Sequence, residues 1–223
     1  MTRRILGAVF QSLDGVIQAP GGPTEDPTGG FAHGGWMAPL GDELVGRTID
    51  GFFSGPFDLL LGRRTYEIFA AYWPFYDADE DMPIATSFNR AGKYVLTRGE
   101  QPLSWENSHR LPDLDALAAL KAEDGPDLLI QGSGTLYPQL LGAGLLDRLT
   151  TMTFPVVLGR GKRLFGEETP SRTLRMTAHE TSPDGVIVAT YEPAGEIAVG
   201  TFPGPDPSAA EQDRQARMRE GSW

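Results

Sequence analysis

The sequence predicts an α/β domain with a mostly parallel sheet and an antiparallel hairpin at its C-terminal end. Three observations carry this. Short apolar runs of strand length alternate with segments of helical periodicity through the first two thirds of the chain. Several of those runs end in glycine or polar residues that open the following helical segment. The last β-rich stretch is split by Ser182-Pro183-Asp184-Gly185, a hairpin-turn composition.

In chain order, RRILGAVF (residues 3–10) reads as the first strand. The Gly- and Pro-rich stretch from Gln11 to Gly35 is a loop, and a loop this long in a compact domain is usually functional or mobile. Residues 39–53 are helical, with Leu40, Leu44, Ile49, Phe52 and Phe53 recurring and Asp42 and Glu43 near the positive end. DLLLG (58–62) is a buried strand. RRTYEIFAAYW then places Tyr66, Phe69, Ala70 and Trp73 on one helix face before Pro74 stops it. PIATSFNRA is a short helix, KYVLTR (93–98) a strand, and residues 113–122 a helix capped by Asp113. Leu128–Ile130 form a strand; Leu136, Tyr137, Leu140 and Leu141 mark a helix. The β-branched run 147–159 and the hairpin within 173–193 complete the domain, expected over 1–193. Residues 194–223 are polar and form a tail outside the core, with room for a short terminal helix that docks on a partner subunit.

Composition excludes several functions. A chain of 223 residues is one domain, or one domain and a tail. It has no cysteine, which removes disulfides, thiol catalysis, Cys-ligated zinc and the zinc nucleobase deaminases. His33, His109 and His179 are too dispersed for a local ligand pair, so no metal is expected. A net charge of −11 argues against nucleic acid. No apolar run approaches the roughly 20 residues of a membrane span. The N-terminus enters the first strand without a signal-peptide apolar region, so a cytoplasmic protein is expected.

Three segments carry chemistry. In LLIQGSGTLYPQLL (128–141) two glycines separate a strand from a helix. Such a turn lets a ligand approach backbone N–H groups at a helix start, which suits phosphate; a tight turn with Thr135 or Ser133 as N-cap uses the same residues. It is not a Rossmann fingerprint, because Tyr137 stands where the third glycine belongs, and no P-loop exists in the chain. In LLLGRRTYE, Gly62 permits the turn, Thr65 can cap, and Arg63 and Arg64 bring guanidinium groups to the helix start. In YVLTR, Thr97 and Arg98 end a third strand. GRGKR (159–163) reads as a solvated turn. Polar groups thus gather at the C-terminal ends of three strands, the edge where open α/β sheets bind ligands. Three anion sites match a pyrophosphate plus one separate phosphate, the count of NADPH.

Together with SLDG (12–15), these segments resemble the dihydrofolate reductase superfamily from about residue 3 to 192. They resemble most the branch containing the reductase domain of bifunctional riboflavin-biosynthesis deaminase–reductases and its stand-alone relatives. The resemblance implies a three-layer dihydrofolate reductase-like fold and an NADPH-dependent reductase of a small heterocycle: a pyrimidine, pterin or flavin precursor. It implies Gly132, Ser133, Gly134 and Thr135 at the pyrophosphate; Gly62, Arg63, Arg64 and Thr65 beside it; and Thr97 and Arg98 at the 2′-phosphate. Ser12, Asp14 and Gly15 fall near nicotinamide and substrate, with Asp14 orienting or protonating the substrate; simple Asp-Gly turn chemistry is the other reading. Two departures stand out. Asp42, Glu43 and Asp50 lie where folate enzymes carry a pterin-binding carboxylate but fit no motif, and the Asn-Pro substrate segment of the riboflavin reductases is absent. A nucleotide- or flavin-binding protein of the same fold, without reductase chemistry, is the alternative function. A homodimer formed through strands 147–192, with the tail over them, is the expected assembly.

Overall fold

The computed structural model describes residues 2–76 and 83–222; residues 77–82 of the expected domain, and the terminal Met1 and Trp223, lie outside it. The strands are β1 (Ile5–Ser12), β2 (Phe57–Gly62), β3 (Lys93–Leu96), β4 (Ser108–Leu111), β5 (Asp127–Gln131), β6 (Arg148–Phe154), β7 (Leu174–Thr181) and β8 (Ile187–Pro193). The α-helices are α1 (Glu43–Phe53), α2 (Arg63–Ala70), α3 (Pro83–Arg90), α4 (Leu114–Ala122), α5 (Leu136–Gly142) and α6 (Ala209–Arg219). The strands form one sheet in the order β4-β3-β2-β5-β1-β6-β8-β7. The pairings among β1 to β6 are parallel, and β8 runs antiparallel to both β6 and β7.

The run Leu59-Leu60-Leu61 shows how the layers form. Side chains alternate across a strand, so Leu60 enters one core while Leu59 and Leu61 enter the other, and all three are fully buried. Each such burial contributes about 1.5–3 kcal/mol. On the first face Ile5, Val9, Leu128 and Ile130 meet Leu117 and Leu120 of α4 and Leu140 of α5. Tyr137 of α5 lies so close to β1 that a methyl on Gly7 would stand 2.4 Å from its Cε1. On the second face Leu59, Leu61 and Val95 pack against Tyr66 of α2 and Phe88 of α3. Further along that face, Met152, Phe154 and Val188 pack with Leu44 and Val45 of α1 and with Phe31 and Trp36 of the long loop. The result is three layers around a mostly parallel sheet.

Several boundaries differ from expectation for local reasons. The first strand begins at Ile5 and runs to Ser12. The helix after β2 ends at Ala70, and Trp73–Tyr76 follows as a 3₁₀ turn. The 147–159 run pairs only to Phe154 because Pro155 has no N–H for the ladder. β4 has no counterpart in the sequence pattern. Within residues 194–223, α6 is capped by the Ser208 hydroxyl and carries no buried residue. Among the described residues no helix is long and apolar enough to cross a membrane.

Buried charge fixes the start of β3. Lys93 is fully buried, and its Nζ donates to the carbonyls of Phe88 (3.1 Å), Asn89 (2.8 Å) and Ala91 (2.9 Å) while lying 4.3 Å from the centre of the Trp105 ring. The ammonium therefore closes the C-terminal end of α3, where exposed carbonyls favour a cation.

Candidate functional site

The sheet order sets the ends of β3, β2, β5 and β1 side by side. The four sequence motifs therefore line one edge: Thr97-Arg98, Gly62 to Thr65, Gly132 to Thr135, and Ser12 to Gly15. The two central motifs are locked to each other. The Ser133 hydroxyl accepts from Gly62 N–H at 3.0 Å, and the Thr65 hydroxyl accepts from Ser133 N–H at 3.0 Å. Thr135 holds the N-cap position of α5 without a side-chain cap bond, and the Ser133 and Thr65 hydroxyls tie the two turns together instead of capping α5 and α2. Gly132 (φ 62°) and Ser133 (φ 52°) both lie in the left-handed region. A methyl on Gly132 would stand 3.1 Å from Thr65 Cγ2, and one on Gly134 would stand 2.3 Å from Ile17 Cδ1. The turn is held on one side by the first turn of α2 and on the other by the loop after β1. Among the described residues the N–H groups of Gly134 and Thr135 have no protein acceptor.

The Ser12–Gly15 loop is a different structure. Ser12 is buried; its hydroxyl donates to Asp14 Oδ1 (2.7 Å) and accepts from Val16 N–H (2.9 Å). The Asp14 carboxylate also accepts from Leu158 N–H (3.0 Å) and Gly159 N–H (2.9 Å), and Arg163 Nη2 stands 3.4 Å away. The Ser12 hydroxyl and these backbone donors pull the Asp14 carboxyl down to about 2. Asp14 is thus an ionised clasp between the loop after β1 and the loop after β6. Gly15, at φ 80°, turns the chain so that its carbonyl accepts from Leu164 N–H at 3.1 Å. GRGKR, expected to be a solvated turn, is one half of this clasp.

Cations collect at the β2–β3–β4 end of the edge. Arg63 is paired with Glu67 on its own helix. Arg64 and Arg98 are exposed and, among the described residues, make no ion pair. A narrow cleft between α2 and residues 97–103 is lined by Arg63, Tyr66, Thr97, Leu103 and Arg110. Arg110 was not visible as a site residue in the sequence: it lies on the four-residue β4, with no motif around it, and register with Val95 brings it to this edge. The carboxylates in the folate position serve elsewhere. Asp42 caps α1 through Val45 N–H (3.0 Å), Glu43 pairs with Arg47 (3.3 Å), and Asp50 is exposed. Among the described residues no cluster of His, Asp or Glu could hold a metal.

A parallel sheet in this strand order, ending in an antiparallel hairpin and flanked by helices on both faces, defines a dihydrofolate reductase-like domain. The chain belongs to the RibD C-terminal domain family, whose model matches residues 3–188. It is 25% identical over 198 residues to the uncharacterized protein YyaP of Bacillus subtilis (strain 168), covering 85% of this chain and 94% of that one. Two solved structures share the fold. One is a Shewanella sp. PV-4 protein provisionally assigned to riboflavin biosynthesis, with TM-score 0.63, 22% identity and coverage of 87% of this chain and 99% of that one. The other is the dihydrofolate reductase of Enterococcus faecalis complexed with NADP(H) and RAB-propyl, with TM-score 0.52, 16% identity and coverage of 86% and 99%.

Proposed function

We propose that the chain is an NADPH-dependent reductase of a small heterocycle of the pyrimidine, pterin or flavin-precursor kind. The observation that carries this is the locked pair of turns at Gly62–Thr65 and Gly132–Thr135. Among the described residues it presents two N–H groups without protein acceptors, on the same edge as Arg64 and Arg98, which make no ion pair there, in a chain of net charge −11. A pyrophosphate fits that arrangement: the glycines leave room for it and the backbone donates to it. Arg98 and Arg64, with Arg110 on the neighbouring strand β4, suit the separate 2′-phosphate. Membership in the RibD C-terminal domain family, and the NADP(H) complex of a protein with the same fold, support the same cofactor.

When bound, the cofactor supplies the hydride. The residues of this chain bind, orient and exclude water. Asp14, held ionised, keeps the loops beside the reacting edge in register rather than giving up a proton at neutral pH. That engagement favours, as the second reading, a nucleotide- or flavin-binding protein without reductase chemistry. Titration of the chain with NADPH, followed by NADPH oxidation at 340 nm against pyrimidines, pterins and flavins, separates the two. Saturable binding with turnover of one panel member is expected. Binding without turnover across the panel favours the second reading, and no binding of NADPH overturns both the cofactor and the reductase assignment.

A further inference from the structure

Next to the Asp14 clasp lies a pocket of about 230 Å³ lined by Gln18, Thr28, Gly29, Phe31, Arg160, Gly161 and Lys162. Its walls are tied together by the protein itself. The buried Gln18 side chain donates to the carbonyls of Asp26 and Thr28, both at 2.9 Å, and accepts from Lys162 N–H at 3.0 Å. Lys162 Nζ pairs with the Asp26 carboxylate and lies 2.9 Å from the Thr28 hydroxyl. Gly161 lies close against the floor: a methyl there would stand 2.4 Å from Val16 Cγ1 and 3.1 Å from Phe31 Cε2. The pocket is therefore preformed.

The charges around it do not cancel. Asp26 neutralises Lys162, and Asp14 neutralises Arg163. Arg160 is exposed, and among the described residues its guanidinium has neither an ion pair nor a hydrogen bond. The Gly161 N–H beside it also has no protein acceptor among those residues. An unpaired guanidinium and an adjacent N–H at the rim of a small preformed pocket match a planar or tetrahedral oxyanion.

We propose that this pocket, next to the Asp14 clasp and distinct from the glycine turn, is an oxyanion subsite that takes a phosphate or carboxylate through Arg160. Its volume is below the roughly 300–1,000 Å³ of pockets for drug-sized ligands, so it holds one small ion or one group of a larger molecule. Val16 to Gln18 separate it from the glycine turn: Ile17 borders Gly134, and Gln18 lines the pocket. That position suits the anionic substituent of a ligand whose remainder reaches the clasp at Asp14, and equally a free anion.

The test is titration of the full chain with inorganic phosphate, acetate and phenyl phosphate at constant ionic strength, with and without saturating NADPH. Wild type, Arg160→Gln and Arg160→Lys are compared. Arg160 is exposed, so both variants are expected to keep the wild-type melting temperature. Saturable oxyanion binding that persists with NADPH bound is expected, weakened at least about tenfold in Arg160→Gln and partly retained in Arg160→Lys, with NADPH affinity unchanged in both. Phenyl phosphate binding much tighter than phosphate marks the oxyanion as the handle of a ring-bearing ligand, and equal affinity marks a free ion; both support the subsite. No saturable oxyanion binding by wild type, or equal binding by Arg160→Gln, overturns it. So does a parallel loss of NADPH affinity, which would put Arg160 on the cofactor edge. If NADPH fails to bind while phosphate still depends on Arg160, the subsite stands and the cofactor assignment falls.

Discussion

Asp14 is where residue chemistry and site architecture meet. An Asp-Gly pair is common in turns, and the structure uses it as one, yet the carboxylate also holds a second loop through Leu158 and Gly159. Replacing it with Asn substitutes a neutral amide for an ion that accepts from four donors, one of them the Arg163 guanidinium. Asp14→Asn is therefore expected to cost about 1–3 kcal/mol in urea unfolding at neutral pH. The pH dependence has a definite sign. A carboxyl lowered from 3.8 to about 2 in the folded state contributes stability that is full above the unfolded value and is lost as pH falls through the folded one. The gap between wild type and Asp14→Asn should thus narrow between about pH 4 and pH 2; a constant gap would show that the ionised form is not what the fold uses. Arg98 carries the second prediction at this scale. NADPH differs from NADH by one phosphate, and Arg98, an arginine just past the strand end with no ion pair among the described residues, is the group that would distinguish them. Arg98→Ala should weaken NADPH by about 10–100-fold and leave NADH nearly unchanged. Equal losses for the two cofactors would assign Arg98 to the pyrophosphate or to folding.

At the level of elements, the β2–α2 and β5–α5 turns behave as one unit because Thr65 and Ser133 bond across them. Thr65→Val removes the acceptor for Ser133 N–H, and Ser133→Ala removes the acceptor for Gly62 N–H. Each is expected to cost about 1–3 kcal/mol and to weaken NADPH binding. In the double variant the losses should be smaller than their sum, since each turn supports the other. Strict additivity in stability and in NADPH affinity would mean the turns act independently. These contacts also show why the sequence reading stopped where it did. Strand, turn, helix and the identity of the motif residues follow from local pattern, but Thr65 and Ser133 are 68 positions apart, and their bond depends on β2 lying next to β5. Local pattern offers each hydroxyl as a helix cap or a phosphate contact and gives no sign of the bond between the two turns. β4 and Arg110 escaped because four residues carry too little periodicity, and GRGKR passed for solvated surface because its partners, Asp14 and Gln18, lie far back in the chain.

For the whole molecule, the alternation of elements was enough to predict layers and strand direction, because each buried parallel strand must be covered on both faces. It did not determine strand order: β1 lies between β5 and β6, a placement that rests on long-range pairing. The order leaves β7 at an open edge, with Met176 of β7 and, toward the other end of the hairpin, Ile187 of β8 each about half exposed. A long unpaired edge is a surface that proteins cover or use. Arg175 and Glu180, the charges that would guard this one, are already paired with Glu192 and Arg47. We therefore expect the chain to form a two-fold dimer through the β6–β8–β7 end. The segment after β8 has a separate role. Val199 and Phe202 are 94% and 96% exposed and α6 buries nothing, so the tail adds little to the fold of one subunit. Deleting residues 196–223 should change stability by less than about 0.5 kcal/mol, or under about 2 °C in Tm for a domain of this size, and leave NADPH affinity intact. Light scattering at micromolar concentration then locates the interface. A dimer mass for both the full and the shortened chain places it on the strands alone. A dimer only for the full chain makes those exposed apolar residues part of the contact. A monomer for both would show that the open edge is left unused.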